Sequence, residues 1–226
     1  MINKKVWLAY VSYPVTTAVY LERALRRMCR LTTIGPRLPE ELIEQWNLQN
    51  MKAAVLHHEI TTDFSPDMAA ILAKTDPELH PDLYLWVESV NGHHPENLQA
   101  LSCPKACYLI DSHLNLSWHL EWARQFDYVF IAQREYLERF RAQGINAHWL
   151  PFGCDPEIHA SHELLKQYDV GFVGGQEKEN LRCIELLRIL SGQTNLCVER
   201  VFLDDMAKML SASRIAFNCS VHNELN

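Results

Sequence analysis

Short apolar runs alternate with amphipathic stretches from residue 1 to residue 150, and this alternation constrains the fold more than any other feature. The apolar runs lie at residues 6–11, 31–34, 53–56, 83–87, 106–110, 128–132 and 147–150. Helical periodicity marks residues 16–30, 116–124 and 135–143, and helix-start signals mark Pro39 and Asp67. Continuous apolar strands that alternate with helices are typical of a parallel sheet covered on both faces. We therefore predict an α/β domain with a parallel sheet.

A second alternating segment follows a break in the pattern. Residues 151–163 carry two prolines, a glycine and three acids with little periodicity, and they read as a connection. Strands are then predicted at residues 170–173, 197–202 and 215–218, with helices at 181–190 and 204–211. We predict an N-terminal domain at residues 1–155, a linker at 156–168 and a C-terminal domain at 169–226. Three strands and two helices cannot cover both faces of a sheet, so we expect the second domain to be incomplete.

The overall composition excludes several classes of function. The net charge is −7, and a nucleic-acid binder needs a basic face that the sequence does not contain. No apolar run approaches the length that crosses a bilayer, so we expect no transmembrane segment. The seven cysteines are odd in number and scattered, and no secretion signal precedes them. This pattern favours reduced thiols and a cytoplasmic location.

Polar residues follow four of the predicted strands directly. They are His57-His58-Glu59, Glu88, Asp111-Ser112-His113 and Gln133. In open α/β sheets, binding sites lie beyond the carboxyl ends of the strands. We therefore predict that Asp111 or His113 acts as, or supports, a general base at that edge. Asp111 could instead be a plain helix N-cap. We interpret His57, His58 and His119 as ordinary loop or helix residues, and His93-His94 as part of a surface loop.

A metal site is the first alternative. Imidazole and carboxylate groups suit zinc, manganese or iron, and His57, Asp111 and His113 could serve a metal-dependent hydrolase. No HExxH or comparable spacing occurs, however, and each ligand would come from a different loop. The sequence therefore favours a site without a metal.

The segment YDVGFVGGQEKENLR, residues 168–182, combines an apolar strand, paired glycines and a helical stretch. Gly174 and Gly175 lie at the turn, where backbone amides and a helix N-terminus can receive an anion. Lys178 and Arg182 are spaced to reach one face of the helix near its start. We predict that these four residues bind a diphosphate. The glycines could also serve the backbone alone, and GxGxxG and Walker sequences are absent here.

Three segments in this order resemble the GT-B glycosyltransferases. LPFGCDPEIH is similar to their interdomain segment, YDVGFVGG to the first strand and glycine loop of their donor domain, and DDMAKMLSASRIAFNCS to a later helix and strand. The details resemble most closely the CgeB-like (spore maturation protein) group. The resemblance implies two Rossmann-like domains, an acceptor side in the first and a nucleotide-sugar site in the second.

The resemblance also implies the ligands. The donor is expected to be a nucleotide-diphosphate sugar, used without a separate cofactor, and the acceptor a glycan, protein or small molecule. Asn218, Ser220 and Glu224 are implied as donor-loop residues. The family's Arg-x-Phe-Glu segment should begin where this sequence ends, so we expect a truncated chain that is inactive alone. Two alternatives share the scaffold: a non-catalytic sugar or nucleotide sensor, and an epimerase.

Overall fold

The computed structural model describes residues 3–54, 57–90, 92–175 and 181–219. The chain divides into two compact units, Met1–Gly153 and Cys154–Asn226. No helix in the described part of the chain combines the length and apolar character needed to span a bilayer.

The first unit is built on seven strands and five helices among its described residues. The strands are β1 Lys5–Ala9, β2 Arg30–Gly35, β3 Ile60–Thr61, β4 Leu83–Val87, β5 Lys105–Leu109, β6 Tyr128–Ile131 and β7 Ala147–Trp149. The helices are α1 Ala18–Met28, α2 Glu40–Gln45, α3 Met68–Lys74, α4 Ser112–Trp122 and α5 Leu137–Arg141. Short 3₁₀ turns lie at Gln49–Ala54, Pro77–Leu79, Leu98–Ala100, Ala123–Gln125 and Arg134–Tyr136.

All seven strands are parallel, in the order β3-β2-β1-β4-β5-β6-β7. In the register of the sheet, Trp7 of β1 lies opposite Thr32 of β2 and Tyr84 of β4. Strand β1 therefore has β2 on one side and β4 on the other, and the strand order reverses between β1 and β4. This is the doubly wound, Rossmann-like arrangement, and it confirms the predicted fold class.

Both faces of this sheet are buried. Trp7 and Ala9 belong to a large core cluster with Trp86, whereas Leu8 and Tyr10 belong to a second cluster with Val87 and Tyr108. Successive side chains of a strand point to opposite faces, so an uninterrupted apolar run such as β1 requires cover on both sides. The helices provide that cover.

Local sequence signals account for several helix ends. Asp67 is the N-cap of α3, and its Oδ1 accepts a hydrogen bond from the amide of Ala69 at 2.9 Å. Helix α5 ends before Gly144, whose φ of +75° is a left-handed conformation that favours glycine. Both signals were predicted correctly.

The predicted third strand is wrong. Residues 53–56 were expected to form it and to end in His57-His58-Glu59. The structure instead places a 3₁₀ turn at Gln49–Ala54 and a two-residue strand, β3, at Ile60–Thr61. Residues 55 and 56 lie outside the described residues. His57, His58 and Glu59 thus precede a strand instead of following one, although His58 packs against Tyr10, the residue directly after β1.

The second unit contains a parallel sheet of three strands in the order β10-β8-β9. The elements are β8 Tyr168–Val173, α6 Leu181–Ser191, β9 Leu196–Glu199, α7 Asp204–Ser211 and β10 Ser213–Phe217. Phe172, Cys183 and Leu187 form its buried core. A Cβ at Gly171 would lie 2.2 Å from Ser213 Oγ, so the close pairing of β8 with β10 requires glycine there.

Candidate active site

The strand order of the first unit reverses between β1 and β4, and in doubly wound sheets a crevice forms beyond the carboxyl ends of the strands at this point. Ser89, two residues after β4, connects the two strand ends, because its Oγ accepts a hydrogen bond from the amide of Val11, two residues after β1, at 2.8 Å. The Tyr13 hydroxyl, beyond the end of β1, donates to the Ser89 carbonyl at 3.3 Å. Ligands of doubly wound sheets bind at such a switch point. Tyr13 and Ser89 therefore belong to the candidate site, although the strand-end rule applied to the sequence missed them.

Glu88 connects β4 to the loop after β5. Its Oε2 accepts hydrogen bonds from the amides of Ile110, at 2.5 Å, and Asp111, at 3.0 Å. Its Oε1 accepts from His119 Nε2 at 3.0 Å and from Asn115 Nδ2 at 3.3 Å. Burial alone would raise the pKa of Glu88, but these donors outweigh it and hold that pKa below its ordinary value. The Glu88 side chain is therefore a fixed carboxylate.

A kink in α4 makes this arrangement possible. Asn115 departs from helical geometry, with φ −122° and ψ 19°, and its side-chain amide reaches Glu88 from the kink. One turn further, His119 is fully buried and forms a hydrogen bond at each ring nitrogen. Its Nε2 bonds to Glu88, and its Nδ1 lies 3.1 Å from Ser112 Oγ. Side-chain insertion into the helix ladder is a recognised cause of such kinks.

Gln133, after β6, holds the same loop from the other side. Its Oε1 accepts from the Ser112 amide at 3.3 Å, and its Nε2 donates to the Ile110 carbonyl. The sequence prediction that Glu88, Asp111 and Gln133 meet at one edge is correct. The chain Ser112–His119–Glu88 has the residue types of a nucleophilic triad, but Ser112 and His119 are both fully buried. We assign it a structural role because no substrate can reach the serine hydroxyl.

Asp111 is different from its neighbours. It occupies the N-cap position of α4, yet its carboxylate caps no helix amide. The simple explanation of Asp111 as a helix cap is therefore wrong. Its pKa is raised, first by burial and then by the charge of Glu88, while His113 and His119 act in the opposite direction. The side chain stays half-buried at the edge of the crevice. Asp111 is thus a carboxylate with increased basicity that caps no helix amide within the described part of the chain.

Tyr13 faces the same two carboxylates. Its pKa is raised to about 12 by burial, then by the charges of Asp111 and Glu88. Its ring packs edge-on against Trp46, with centroids 6.4 Å apart. Because the phenol stays protonated at neutral pH and donates to the Ser89 carbonyl, its oxygen can accept a hydrogen bond from a hydroxyl-bearing ligand beside Asp111. The site therefore combines one base and one fixed hydroxyl.

The histidines divide between the site and the core. His113 lies half-buried in the first turn of α4, close enough to Asp111 to lower its pKa. His58 packs edge-on against Tyr10, with ring centroids 4.5 Å apart. His93 is 1% exposed and stacks on Trp86, and its ring nitrogens have no partner among the described residues. The expectation of a surface loop is wrong for His93.

In the second unit the strand order also reverses, because β8 pairs with β9 on one side and β10 on the other. Gly174 directly follows β8, and Asn218 directly follows β10. Arg182 is exposed in the described first turn of α6, and Asn218 is exposed as well. The predicted residues Gly174, Arg182 and Asn218 therefore lie at or near the carboxyl edge of this sheet. Lys178, Ser220 and Glu224 lie outside the described residues.

One detail of the glycine turn differs from the prediction. The Gly174 amide donates to the Glu199 carbonyl at 3.1 Å and so extends the β8–β9 ladder. It is not free for an anion, as the sequence had suggested for the amides of this turn. A Cβ at Gly174 would lie 2.9 Å from the ring of Phe172, so the glycine is needed for space. Gly175 follows it at the turn.

Side chains suited to metal binding are not grouped in the described residues. Among them, no set of three His, Cys, Asp or Glu side chains is arranged to hold an ion.

No family model matches the chain, and no curated protein matches it. Solved structures with a similar arrangement include a candidate UDP-N-acetylglucosamine 2-epimerase from Listeria monocytogenes, at 10% identity and a TM-score of 0.45, covering 98% of this chain and 70% of that one. Another is UGT89C1 from Arabidopsis thaliana, at 13% identity and a TM-score of 0.46, covering 94% and 69%. Its complex with UDP gives 14% identity, a TM-score of 0.43, and 89% and 68% coverage. At these values the likeness is one of overall architecture and carries nothing about activity.

Proposed function

We propose that the chain belongs to a GT-B type glycosyltransferase that moves a sugar from a nucleotide-diphosphate sugar to an acceptor hydroxyl, and that it is related to the CgeB-like proteins. The observation that carries the proposal is Asp111. It is an N-cap carboxylate that caps nothing, its pKa is raised beside a second carboxylate, and it borders the crevice of a doubly wound sheet. Such a group is suited to accept a proton.

The residues of the first unit supply the acceptor chemistry. Asp111 takes the proton from the acceptor hydroxyl as that oxygen attacks the anomeric carbon. Glu88 holds the amides of the Asp111 loop, and the Tyr13 hydroxyl gives the acceptor a hydrogen-bond partner. His113 stands beside the base and moderates its pKa. Asp111 is thus the catalytic base of the proposal and Glu88 a positioning residue.

The second unit supplies the donor site. Gly174 and Gly175 allow a ligand to approach the end of β8 closely, and Arg182, with Lys178, supplies positive charge for the diphosphate. Asn218, Ser220 and Glu224 follow the neighbouring strand β10 and are proposed to contact the nucleotide. Charge that develops on the leaving diphosphate is stabilised by these cations and by the start of α6.

The test is donor turnover by the full-length protein and by its Asp111→Asn variant. Panels of UDP, GDP, ADP and dTDP sugars are incubated with hydroxyl-bearing acceptors, and the released nucleoside diphosphate is measured. We expect turnover of at least one donor, about 100-fold less with Asp111→Asn, and unchanged donor affinity. Arg182→Ala should instead weaken donor binding.

The control is Asp67→Asn, which alters the N-cap aspartate of α3 that does cap its helix. It should lower stability slightly and leave turnover unchanged. Donor binding without any turnover would show that the protein is a sensor and not a transferase. If no donor binds and Arg182→Ala changes nothing, the proposal is wrong.

A further inference from the structure

Two cysteine thiols of the second unit contact each other in its core. Cys183 on α6 and Cys219, two residues beyond β10, pack in one cluster with Phe172 and Leu187. Their side chains are in hydrogen-bond contact, and both cysteines are thiols rather than a disulfide. The remaining five cysteines are distributed through both units. The two sulfur atoms are therefore in contact, as the formation of a disulfide requires.

The two thiols differ in access to solvent. Cys183 is 1% exposed, whereas Cys219 is partly exposed. An oxidant dissolved in water therefore meets Cys219 first. Burial, and then the contact with Cys219, raises the pKa of the Cys183 thiol, which keeps it protonated until its partner has reacted. The arrangement has one accessible thiol and one buried resolving thiol.

We propose that Cys183 and Cys219 form a reversible disulfide when the protein meets a hydroperoxide. The Cys219 thiolate attacks the peroxide, an S–O bond forms, the O–O bond breaks, and hydroxide leaves and is protonated to water. Cys183 sulfur then attacks Cys219 sulfur, the S–S bond forms, and the S–O bond breaks with loss of a second water. Two thiols lose two electrons and two protons, and one hydrogen peroxide becomes two waters.

The position of the pair suggests what the disulfide controls, and this part rests on the proposed function. Cys183 directly follows Arg182, and Cys219 directly follows Asn218. Both preceding residues are proposed to bind the donor. A disulfide restricts the Cα atoms of its cysteines to about 4.4–6.8 Å. It would therefore fasten Cys219 to α6, hold Arg182 and Asn218 in one arrangement, and weaken nucleotide binding.

Peptide mapping of the full chain tests the disulfide directly. The protein is treated with hydrogen peroxide, unreacted thiols are alkylated, and a tryptic digest is analysed by mass spectrometry. Trypsin places Cys183 in CIELLR and Cys219 in IAFNCSVHNELN, so the cross-linked product is unique. We expect this product, about 2 Da lighter than the two peptides together, and its loss on reduction. Cys219→Ser and Cys183→Ala should each abolish it.

Cys197→Ser is the matched control, because Cys197 lies in the same sheet on β9 and contacts Tyr168 rather than another cysteine. It should leave the cross-link unchanged. Cross-links that favour the exposed Cys154, or overoxidation of Cys219 without a disulfide, would overturn the proposal. UDP binding is then measured by calorimetry on the reduced and oxidised protein, with about tenfold weaker binding expected after oxidation.

These measurements distinguish failure of the proposed function from failure of the proposed control by the disulfide. If the disulfide forms and UDP binds to neither state, the modification site stands and the UDP-dependent form of the proposed function fails. If UDP binds equally to both states, the disulfide has no control over the donor site, and that part of the proposal is wrong.

Discussion

The substitution Glu88→Gln isolates the charge that organises the candidate site. Glutamine has nearly the shape of glutamate, and its single carbonyl oxygen can still accept from the amides of Ile110 and Asp111. Its NH₂ group then faces His119 Nε2, which can accept if the imidazole changes tautomer and donates from Nδ1 to Ser112. Only the weak bond from Asn115, at 3.3 Å, is lost outright.

The magnitude follows from these bonds. The bonds from the Ile110 and Asp111 amides change from a charged acceptor to a neutral one, and the contact with His119 becomes a neutral bond of reversed direction; each change weakens the bond by about 1 kcal/mol. Glutamine also removes the cost of burying a carboxylate and the repulsion between that carboxylate and Asp111, which offsets about 1 kcal/mol of this loss. We therefore expect the first unit to lose about 2 kcal/mol of unfolding free energy, a fall of about 4–8 °C in its melting temperature.

Tryptophan fluorescence measures this loss selectively. All six tryptophans lie between Trp7 and Trp149, inside the first unit, so unfolding of the second unit does not contribute to the signal. Urea unfolding of the wild type, Glu88→Gln and the control Glu138→Gln is compared at pH 7. Glu138 forms an exposed ion pair with Arg141, with 79% of its own side chain accessible, so its substitution should change little.

The pH dependence provides the refutation. The folded-state pKa of Glu88 lies below its ordinary value of 4.5, so its contribution is complete above pH 4.5 and is lost as the pH falls through the folded value. The difference between the wild type and Glu88→Gln should therefore be constant near neutrality and shrink in acid. Equal stability of Glu88→Gln and Glu138→Gln at pH 7, or a difference independent of pH, would show that Glu88 carries no organising charge.

Three further substitutions test separate parts of the structure. Asp111→Asn should raise stability at pH 7 while it lowers turnover. The pKa of Asp111 is raised in the folded state, so its negative charge destabilises the fold above the ordinary pKa of 3.8. The gain in stability, followed by fluorescence, should therefore vanish below pH 3.8. His93→Phe should stabilise the first unit by about 1 kcal/mol, because it removes two ring nitrogens that have no hydrogen-bond partner among the described residues. The pKa of His93 is lowered from 6.5 to about 3, so the wild type loses stability as the pH falls between these two values. His93→Phe should lose less over this range, and the remaining loss comes from His58 and His94, whose pKa values are also lowered. Gly171→Ala should cost the second unit about 2 kcal/mol through contact with Ser213, seen by hydrogen exchange, with fluorescence unchanged.

The sequence predicted elements well where their signals were long and local. Strand β4 and helix α7 have the predicted bounds, because an apolar run and an acidic first turn mark them clearly. Strand β3 was misplaced because two residues, Ile60 and Thr61, are too few to show a period. The apolar residues before it belong largely to a 3₁₀ turn instead.

The site was predicted in part for a related reason. Glu88 directly follows β4, and Asp111 and Gln133 lie two residues beyond β5 and β6, so a rule about strand ends finds them. Tyr13 and Ser89 matter because β1 and β4 are neighbours, and strand order is a long-range property that local patterns do not encode. The role of His119 depends on a kink at Asn115, which only the packed structure displays.

The pairing of β1 with β4 also sets the order in which this molecule can fold. The Lys5 amide meets the Asp82 side chain across 77 residues, whereas β1 reaches β2 over a much shorter loop. Closing the longer loop costs more chain entropy, and contacts distant in sequence slow folding. During synthesis β1 has no neighbour on its crevice side until β4 has been made. The crevice that holds Tyr13 and Glu88 is thus a late product of folding, and mutations there should speed unfolding more than they slow folding.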